Sequence, residues 1–138
     1  MQRQARADQL ARVPLFERCS KRELRRLARE SHLEQVDAGQ ALVTTGSPPR
    51  QLYVILAGTA VVRRDGRTVG RLGLGEVVGE LGVLCDAPRN ADVVAETPLE
   101  VLGLDRAGLR RALDEVPGMG WKLLNTVAER LHPTQAGT

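Results

Sequence analysis

The most informative segment of this sequence reads GEVVGELGVLCDAPRNAD and occupies residues 75–92. Glycines recur through it, Glu80 lies within an otherwise apolar run, and Pro88 and Arg89 precede the next β-strand pattern. Glycine allows a ligand to approach the backbone closely, and a helix that begins near Glu80 would direct its first N–H groups toward an anion. An arginine after a proline presents a planar set of donors to phosphate, and a carboxylate accepts hydrogen bonds from sugar hydroxyls. The segment therefore predicts a binding site for a ribose phosphate.

Around this segment, the sequence has the pattern of a β-structure. Short runs of β-branched and aliphatic residues recur every ~8–12 residues, and glycine, proline or the pair Asp65-Gly66 separates them. Asp-Gly is typical of a tight hairpin turn, because both residues tolerate positive φ. The pattern predicts strands at residues 33–36, 41–44, 52–56, 60–64, 68–72, 91–94 and 99–104. Many short strands at regular spacing indicate a sandwich or barrel, interpreted here as a β-roll.

Helical patterns flank the β region on both sides. Ser20 and Glu23 match a capping box, and Asp105 can cap a later helix that Pro117 breaks. The apolar spacing predicts helices at residues 3–11, 21–30, 106–116 and 121–131. Trp121 is interpreted as a core residue of the last helix.

The predicted fold class is α+β and mainly β: an eight-stranded, double-sheet β-roll (jelly roll) flanked by N-terminal helices and two C-terminal helices. We expect an N-terminal helical segment at 1–30 and a β-roll at 31–105 with its binding segment at 75–92. The C-terminal helices at 106–131 belong to the same domain, and residues 132–138 form a tail.

Composition narrows the class of protein. The 138 residues (15.0 kDa) are enough for one domain with its own core, and no apolar run approaches the ~20 residues that a membrane helix needs. The N-terminus does not resemble a secretory signal, so we expect a cytoplasmic protein. The net charge is +3, but residues 1–30 hold nine Arg or Lys against four acids, which gives +5. We interpret this basic part as a solvated helical face, and the three aromatic residues argue against binding of single-stranded nucleic acid.

Metal chemistry and catalysis are not expected. Cys19 and Cys85 are far apart in the chain, and His32 and His132 are too few to build a metal centre with them. A metal enzyme of the cupin type, which shares the β-roll architecture, is therefore disfavoured. We predict no metal site, no catalytic residues and no required cofactor.

The segment Gly79-Glu80-Leu81-Gly82-Val83-Leu84, followed by Pro88-Arg89-Asn90-Ala91, resembles the phosphate-binding cassette of the cyclic-nucleotide-binding domain family. Catabolite-activator-type regulators and regulatory subunits of cAMP-dependent kinase belong to that family. Leu52–Leu56 followed by Gly58 is similar to the family's strand and glycine turn, so the resemblance covers roughly residues 14–131. It implies a stand-alone domain that binds a cyclic nucleotide.

The resemblance also assigns roles to individual residues. It implies that Arg89 pairs with the phosphate oxygens and that Glu80 accepts from the ribose 2′-hydroxyl, beside backbone groups of Gly79 and Leu81. The remaining ligand-binding residues are Gly82 in the cassette turn, and Asn90 and Ala91, whose backbone N–H groups complete the phosphate cradle.

Two positions depart from the family pattern. Val78 stands where members often carry an aromatic residue, which affects packing. Asp92 stands where many kinase-type members have Thr or Ser; it could repel a phosphate if it faced the ligand, point away, or pair with Arg89. The missing hydroxyl is a feature associated with cGMP preference, so cAMP is favoured over cGMP.

The resemblance also implies a mechanism in which the C-terminal helix closes over the base, with Leu123, Leu124 and Val127 as candidate capping residues. The module would then regulate a separate effector protein or domain. An apolar stripe on this helix, from Trp121 to Leu131, could also pair two copies weakly into a homodimer.

Two alternatives stay open. One is a degenerate cyclic-nucleotide-binding fold that acts as a protein-interaction module. The other is the sensor part of a Crp/Fnr-like transcription regulator that lacks its DNA-binding domain. DNA binding by this chain is not expected, since seven residues follow Leu131 and a helix-turn-helix needs more.

Overall fold

The computed structural model describes residues 3–47, 51–80, 84 and 89–131. Its four helices are α1 (Arg3–Leu10), α2 (Lys21–Glu30), α3 (Arg106–Glu115) and α4 (Met119–Leu131), with a short 3₁₀ helix at Pro14–Phe16. Its strands are β1 (His32–Val36), β2 (Ala41–Val43), β3 (Gln51–Ala57), β4 (Ala60–Arg64), β5 (Arg67–Leu72), β6 (Val77–Val78), β7 (Asp92–Ala95) and β8 (Leu99–Asp105).

The eight strands form two antiparallel sheets of four strands each. One sheet has the order β1-β8-β3-β6 and the other the order β2-β7-β4-β5, so the chain passes repeatedly from one sheet to the other. Buried side chains from both sheets, among them Ile55, Val101, Val93 and Ala95, pack between them as one apolar core. This arrangement is a double-sheet β-roll that does not close into a barrel, and it confirms the predicted fold class.

The predicted strands are present, with ends that differ from the prediction by no more than one residue. The eighth strand, β6, has only two residues, Val77 and Val78, which pair with Val54 and Tyr53 of β3. The sequence did not reveal it, because two residues are too few to show an alternating pattern. β6 therefore attaches the start of the 75–92 segment directly to the sheet.

Polar caps fix where the flanking helices begin. The Ser20 hydroxyl accepts from the Glu23 backbone N–H (3.2 Å) and the Glu23 carboxylate accepts from the Ser20 N–H (2.8 Å), so the capping box is confirmed. Asp105 accepts from the Gly108 N–H and caps α3 as predicted. The helix α4 begins at Met119, two residues earlier than predicted, and Trp121 is 68% exposed. The interpretation of Trp121 as a core residue was wrong, because Met119 and Leu123 occupy the buried face of α4 instead.

A second apolar core joins the helices to the β-roll. Phe16, Leu27, Leu104, Leu109 and Leu123 are all buried in it, and they come from both ends of the chain and from β8. The N-terminal and C-terminal helices thus share one core with the outer face of the sheet that contains β3 and β8. The boundaries at 30, 105 and 131 stay predictions. None of the described helices has the length and apolar character required to cross a bilayer.

The basic N-terminal part is not wholly a solvated face. Arg22 and Arg25 are exposed, but the Arg26 side chain is only 9% exposed. Its guanidinium donates to Glu30 (2.7 Å) and to Glu115 of α3 (2.8 Å). The expectation is therefore corrected at Arg26, which links α2 to α3 because a buried guanidinium needs carboxylate partners.

Candidate functional site

Within the 75–92 segment, Gly79 and Arg89 lie next to each other. Gly79, directly after β6, has φ +75°, and the Arg89 guanidinium covers its Cα so closely that a Cβ there would lie 2.0 Å from Nη1. Only glycine fits this position without displacing the arginine. Leu81, Gly82 and the expected short helix after Glu80 fall in residues 81–83 and 85–88, which lie outside the described residues.

Arg89 is held by the backbone of the turn between β2 and β3 and of β3 itself. Its N–H donates to the Ser47 carbonyl (3.0 Å), its carbonyl accepts from the Gly46 N–H (2.8 Å), and its Nη2 donates to the Gln51 carbonyl. Its Nε is buried without a hydrogen-bond partner among the described residues. Burial lowers the pKa of Arg89, and no carboxylate in the described part of the chain pairs with it. A desolvated guanidinium without a counter-charge is suited to an anion.

Glu80 follows Gly79, which the Arg89 guanidinium covers, but the Glu80 carboxylate pairs with a different arginine. Its side chain is only 16% exposed, and Oε1 accepts from Nη2 of Arg130 at 2.7 Å. Arg130 belongs to the last turn of α4, so the carboxylate connects the segment to the C-terminal helix.

A cavity of about 350 Å³ opens beside Arg89, within the ~300–1,000 Å³ range of small-molecule sites. Its walls come from β2, β3, the turn between them and Arg89 itself; the lining residues are Ala41, Leu42, Val43, Thr44, Ser47, Gln51, Tyr53 and Arg89. Burial raises the pKa of Tyr53, so its phenol stays neutral at physiological pH. The cavity thus combines a half-buried cation with walls of mixed polar and apolar character.

The residues that follow Arg89 lead into β7. Asn90 is exposed and its carbonyl accepts from Arg64 Nε at 3.4 Å, whereas Ala91 is buried at 8% exposure. Both directly follow Arg89 in the chain, and the Arg89 guanidinium covers Gly79, so the structure brings Gly79, Glu80, Arg89, Asn90 and Ala91 to one side of the β-roll.

Asp92 is turned away from this cation. Its Oδ1 accepts from the Thr45 backbone N–H (2.6 Å) and hydroxyl (2.9 Å), and those hydrogen bonds lower its pKa. It lies opposite Arg63 in the β4–β7 register. Of the three arrangements considered from the sequence, pairing with Arg89 is not found in the described part of the chain, because Thr45 engages the Asp92 carboxylate instead.

The three capping candidates are divided between two sides of α4. Leu123 is buried at 4% exposure in the helical core, Val127 packs against that core, and Leu124 is 56% exposed. Contact of Leu123 with a base would require α4 to move, and the capping role stays a prediction.

The sequence marked a turn at Gly46 and Ser47, but it did not assign these two residues, Gln51 or Arg130 to the site. Arg130 is 50 positions from Glu80 and carried no motif, so its pairing became visible only from the packing of α4. Within the described residues, no group of three His, Cys, Asp or Glu side chains could hold a metal ion.

Comparison with known proteins supports the resemblance. A segment of 92 residues, 61% of this chain, is 36% identical to a cGMP-dependent protein kinase of Caenorhabditis briggsae, and the chain spans only 12% of that kinase. The N-terminal domain of a transcriptional regulator from Streptomyces coelicolor A3(2) has a TM-score of 0.85 at 30% identity, over 95% of this chain and 97% of that chain. The regulatory domain of Toxoplasma gondii PKA, crystallised with cAMP, has the same fold, with a TM-score of 0.72 at 24% identity over 93% and 50% of the two chains.

The family-level match is more specific. The sequence model of the cyclic nucleotide-binding domain matches residues 33–116, which include both sheets, the 75–92 segment and α3. Since this match covers more than half of the chain, the chain belongs to the cyclic nucleotide-binding domain family.

Proposed function

We propose that this domain binds cAMP through Arg89 and Glu80 and transmits binding to α4. The observation that carries the proposal is the Arg89 guanidinium lying over Gly79, directly beside the residue whose carboxylate reaches α4. These contacts support a site in which Arg89 supplies the cation for the phosphate and Glu80 the acceptor for the ribose.

The phosphate would bind at Arg89. This guanidinium has a free Nε and no carboxylate partner among the described residues, so a phosphate oxygen would satisfy a donor that is otherwise buried and unpaired. The backbone N–H groups of Asn90 and Ala91 would complete the phosphate cradle, as the family pattern implies.

The ribose would bind at Glu80. One of its oxygens accepts from Arg130, so a 2′-hydroxyl that donates to the same carboxylate would compete with Arg130 or share Glu80 with it. Backbone groups of Gly79, Leu81 and Gly82 would lie beside the sugar, as the cassette resemblance implies.

The pair between Glu80 and Arg130 also supports coupling to α4. A ligand can shift the position of a helix only if it binds one arrangement better than the other. Because the ribose and Arg130 draw on one carboxylate, ligand binding would weaken the hold of the segment on α4. Closure of α4 over the base by Leu123, Leu124 or Val127 is the second half of this proposal.

The choice of cAMP rests on position 92. Asp92 offers no hydroxyl and is engaged by Thr45, so the contact associated with cGMP preference is missing. The second candidate is cGMP, which the identity to a cGMP-dependent kinase favours.

The domain would act as a non-catalytic sensor for an effector. The likeness to the N-terminal domain of a transcriptional regulator supports this placement, with the effector in another chain or domain.

We also propose weak pairing of two copies through α4, where Trp121, Leu124 and Leu131 are 68%, 56% and 79% exposed. Sedimentation equilibrium would show an average mass above 15.0 kDa at high concentration.

Calorimetry and thermal unfolding with cAMP, cGMP and adenosine test the ligand proposal. A ligand that binds only the folded state at 100 times its Kd stabilises it by about 2.7 kcal/mol. We expect cAMP to raise the unfolding midpoint more than cGMP, and adenosine to do so least. Absence of heat and of any shift with both cyclic nucleotides would reject the proposal and favour a protein-interaction module.

A further inference from the structure

The strand β4 ends at Arg64, an exposed residue at the open edge of the β-roll. In the β4–β7 register Val62 lies opposite Val93, and Arg63 lies opposite Asp92. Val93 belongs to the core between the sheets, and Val62 packs against that core. Because side chains alternate along a strand, Arg64 lies on the same face as Val62, at the open edge of the roll.

The same arginine reaches the end of the binding segment. Arg64 Nε donates to the carbonyl of Asn90 at 3.4 Å, and Asn90 directly follows Arg89. This contact is weak and exposed, so the guanidinium keeps donors that can turn to an anion next to Asn90.

Among the described residues at this edge of the roll, arginines outnumber carboxylates. Glu80 is paired with Arg130, and Asp92 lies near Arg63, whose charge helps to lower the Asp92 pKa. Two guanidinium groups, those of Arg89 and Arg64, have no carboxylate partner within the described ranges. Arg89 is half-buried and Arg64 is exposed. Asn90 links them, because it follows Arg89 in the chain and its carbonyl accepts from Arg64.

We propose that Arg64 is a second phosphate-binding residue, which contacts the anion from the open side while Arg89 contacts it from inside. The inference rests on the proposed function and deepens it. An exposed cation at the rim attracts an anion over a distance comparable to the Debye length, about 10 Å at 0.1 M salt. Arg64 would therefore raise the association rate and the salt dependence of binding, whereas Arg89 would govern the dissociation rate.

The test measures association rates and Kd for cAMP at low and high salt in the wild-type chain and in Arg64→Ala, Arg64→Lys and Arg67→Ala. Arg67 pairs with Arg64 across the β4–β5 hairpin and is also exposed, but it lies one strand farther from β7. Arg67→Ala thus removes the same charge from the same hairpin without removing the contact to Asn90.

For Arg64→Ala we expect a loss of affinity of about threefold to tenfold at low salt, which shrinks at high salt. Arg64→Lys should recover most of the loss, and binding of adenosine should not change. Equal effects of Arg64→Ala and Arg67→Ala would show a general field effect and overturn the assignment of Arg64 while leaving the proposed function intact. If the wild-type chain does not bind cAMP or cGMP at all, both proposals fail.

Discussion

Phosphate binding should depend most on Arg89, whose guanidinium is half-buried. Truncating one member of a desolvated charge pair costs about 2–5 kcal/mol. We therefore expect Arg89→Ala to lower the affinity for cAMP at least about thirtyfold by calorimetry. The stability of the unliganded chain should stay equal or rise, because burial of this guanidinium has no carboxylate to offset it.

The conservative variant Arg89→Lys keeps the charge but loses the planar arrangement of donors, so it should recover only part of the affinity. An unchanged Kd in Arg89→Ala would contradict the placement of the phosphate.

Gly79 combines two demands at one position. Its φ of +75° costs a non-glycine residue about 1–2 kcal/mol, and a Cβ would also collide with Arg89. Gly79→Ala should therefore lower both stability and cAMP affinity. Gly39→Ala is a matched control, since Gly39 has φ +86° with open space around it and lies outside the site. Gly39→Ala should lose only the stability that the positive φ costs, and Gly79→Ala at least as much. A cAMP affinity that is equal in both variants would rule out a role of the Gly79–Arg89 contact in binding.

These residues also show how far the sequence could be interpreted. Arg89 and Glu80 could be singled out because a motif of fixed spacing contains both. The partners of Glu80 and Asp92 could not be singled out. Arg130 lies 50 positions from Glu80 and reaches it through the packing of α4. Thr45 lies 47 positions from Asp92 and reaches it through the β2–β7 pairing. Spacing along the chain does not specify such contacts.

At the scale of elements, α4 is held by ion pairs to three different parts of the molecule. Arg130 pairs with Glu80 of the binding segment, Lys122 with Glu23 of α2, and Glu129 with Arg18 before α2. Only the first pair joins α4 to the site. The role of this helix can therefore be tested by breaking one pair and leaving the other two.

We expect Arg130→Ala to raise the affinity for cAMP about threefold, since a partly exposed pair of this kind is worth about 0.2–1 kcal/mol and the ribose no longer competes with it. It should also reduce the change in Trp121 fluorescence on binding. Trp121 lies on α4 and is the single tryptophan of the chain, so this signal reports on the helix. Arg18→Ala removes another ion pair of α4 and should leave both readouts near wild type. Equal responses of the two variants would contradict coupling through Glu80.

Element boundaries followed from the sequence where a local device sets them. The capping oxygens of Ser20 and Asp105 begin α2 and α3, and both could be identified from neighbouring residues alone. The two-residue strand β6 is set by its pairing with β3, and the buried face of α4 is set by the core in which Met119 packs. Both depend on contacts distant in the chain, so the sequence did not reveal them.

At the scale of the whole molecule, the ion pairs between helices predict how stability depends on pH. Hydrogen bonds from Arg26, supported by Arg111, lower the pKa of Glu30, and Arg26 also lowers the pKa of Glu115. A carboxylate with a lowered pKa in the folded state contributes stability above its usual value of 4.5, and that contribution is lost as the pH falls through the folded pKa. The pairs join α2 to α3, so acid should loosen the two helical ends from each other.

We expect the free energy of unfolding to be nearly level near neutral pH and to fall below about pH 4.5. Glu30→Gln should cost about 1.5 kcal/mol at pH 7, the worth of a charged hydrogen bond, and should make the acid limb shallower. Glu17→Gln, at an exposed glutamate with no ion pair among the described residues, should change neither. Denaturant unfolding at pH 3, 5 and 7 measures all three chains. Parallel acid limbs for wild type and Glu30→Gln would mean that the α2–α3 ion pairs do not hold the two ends together, and that the shared apolar core alone does so.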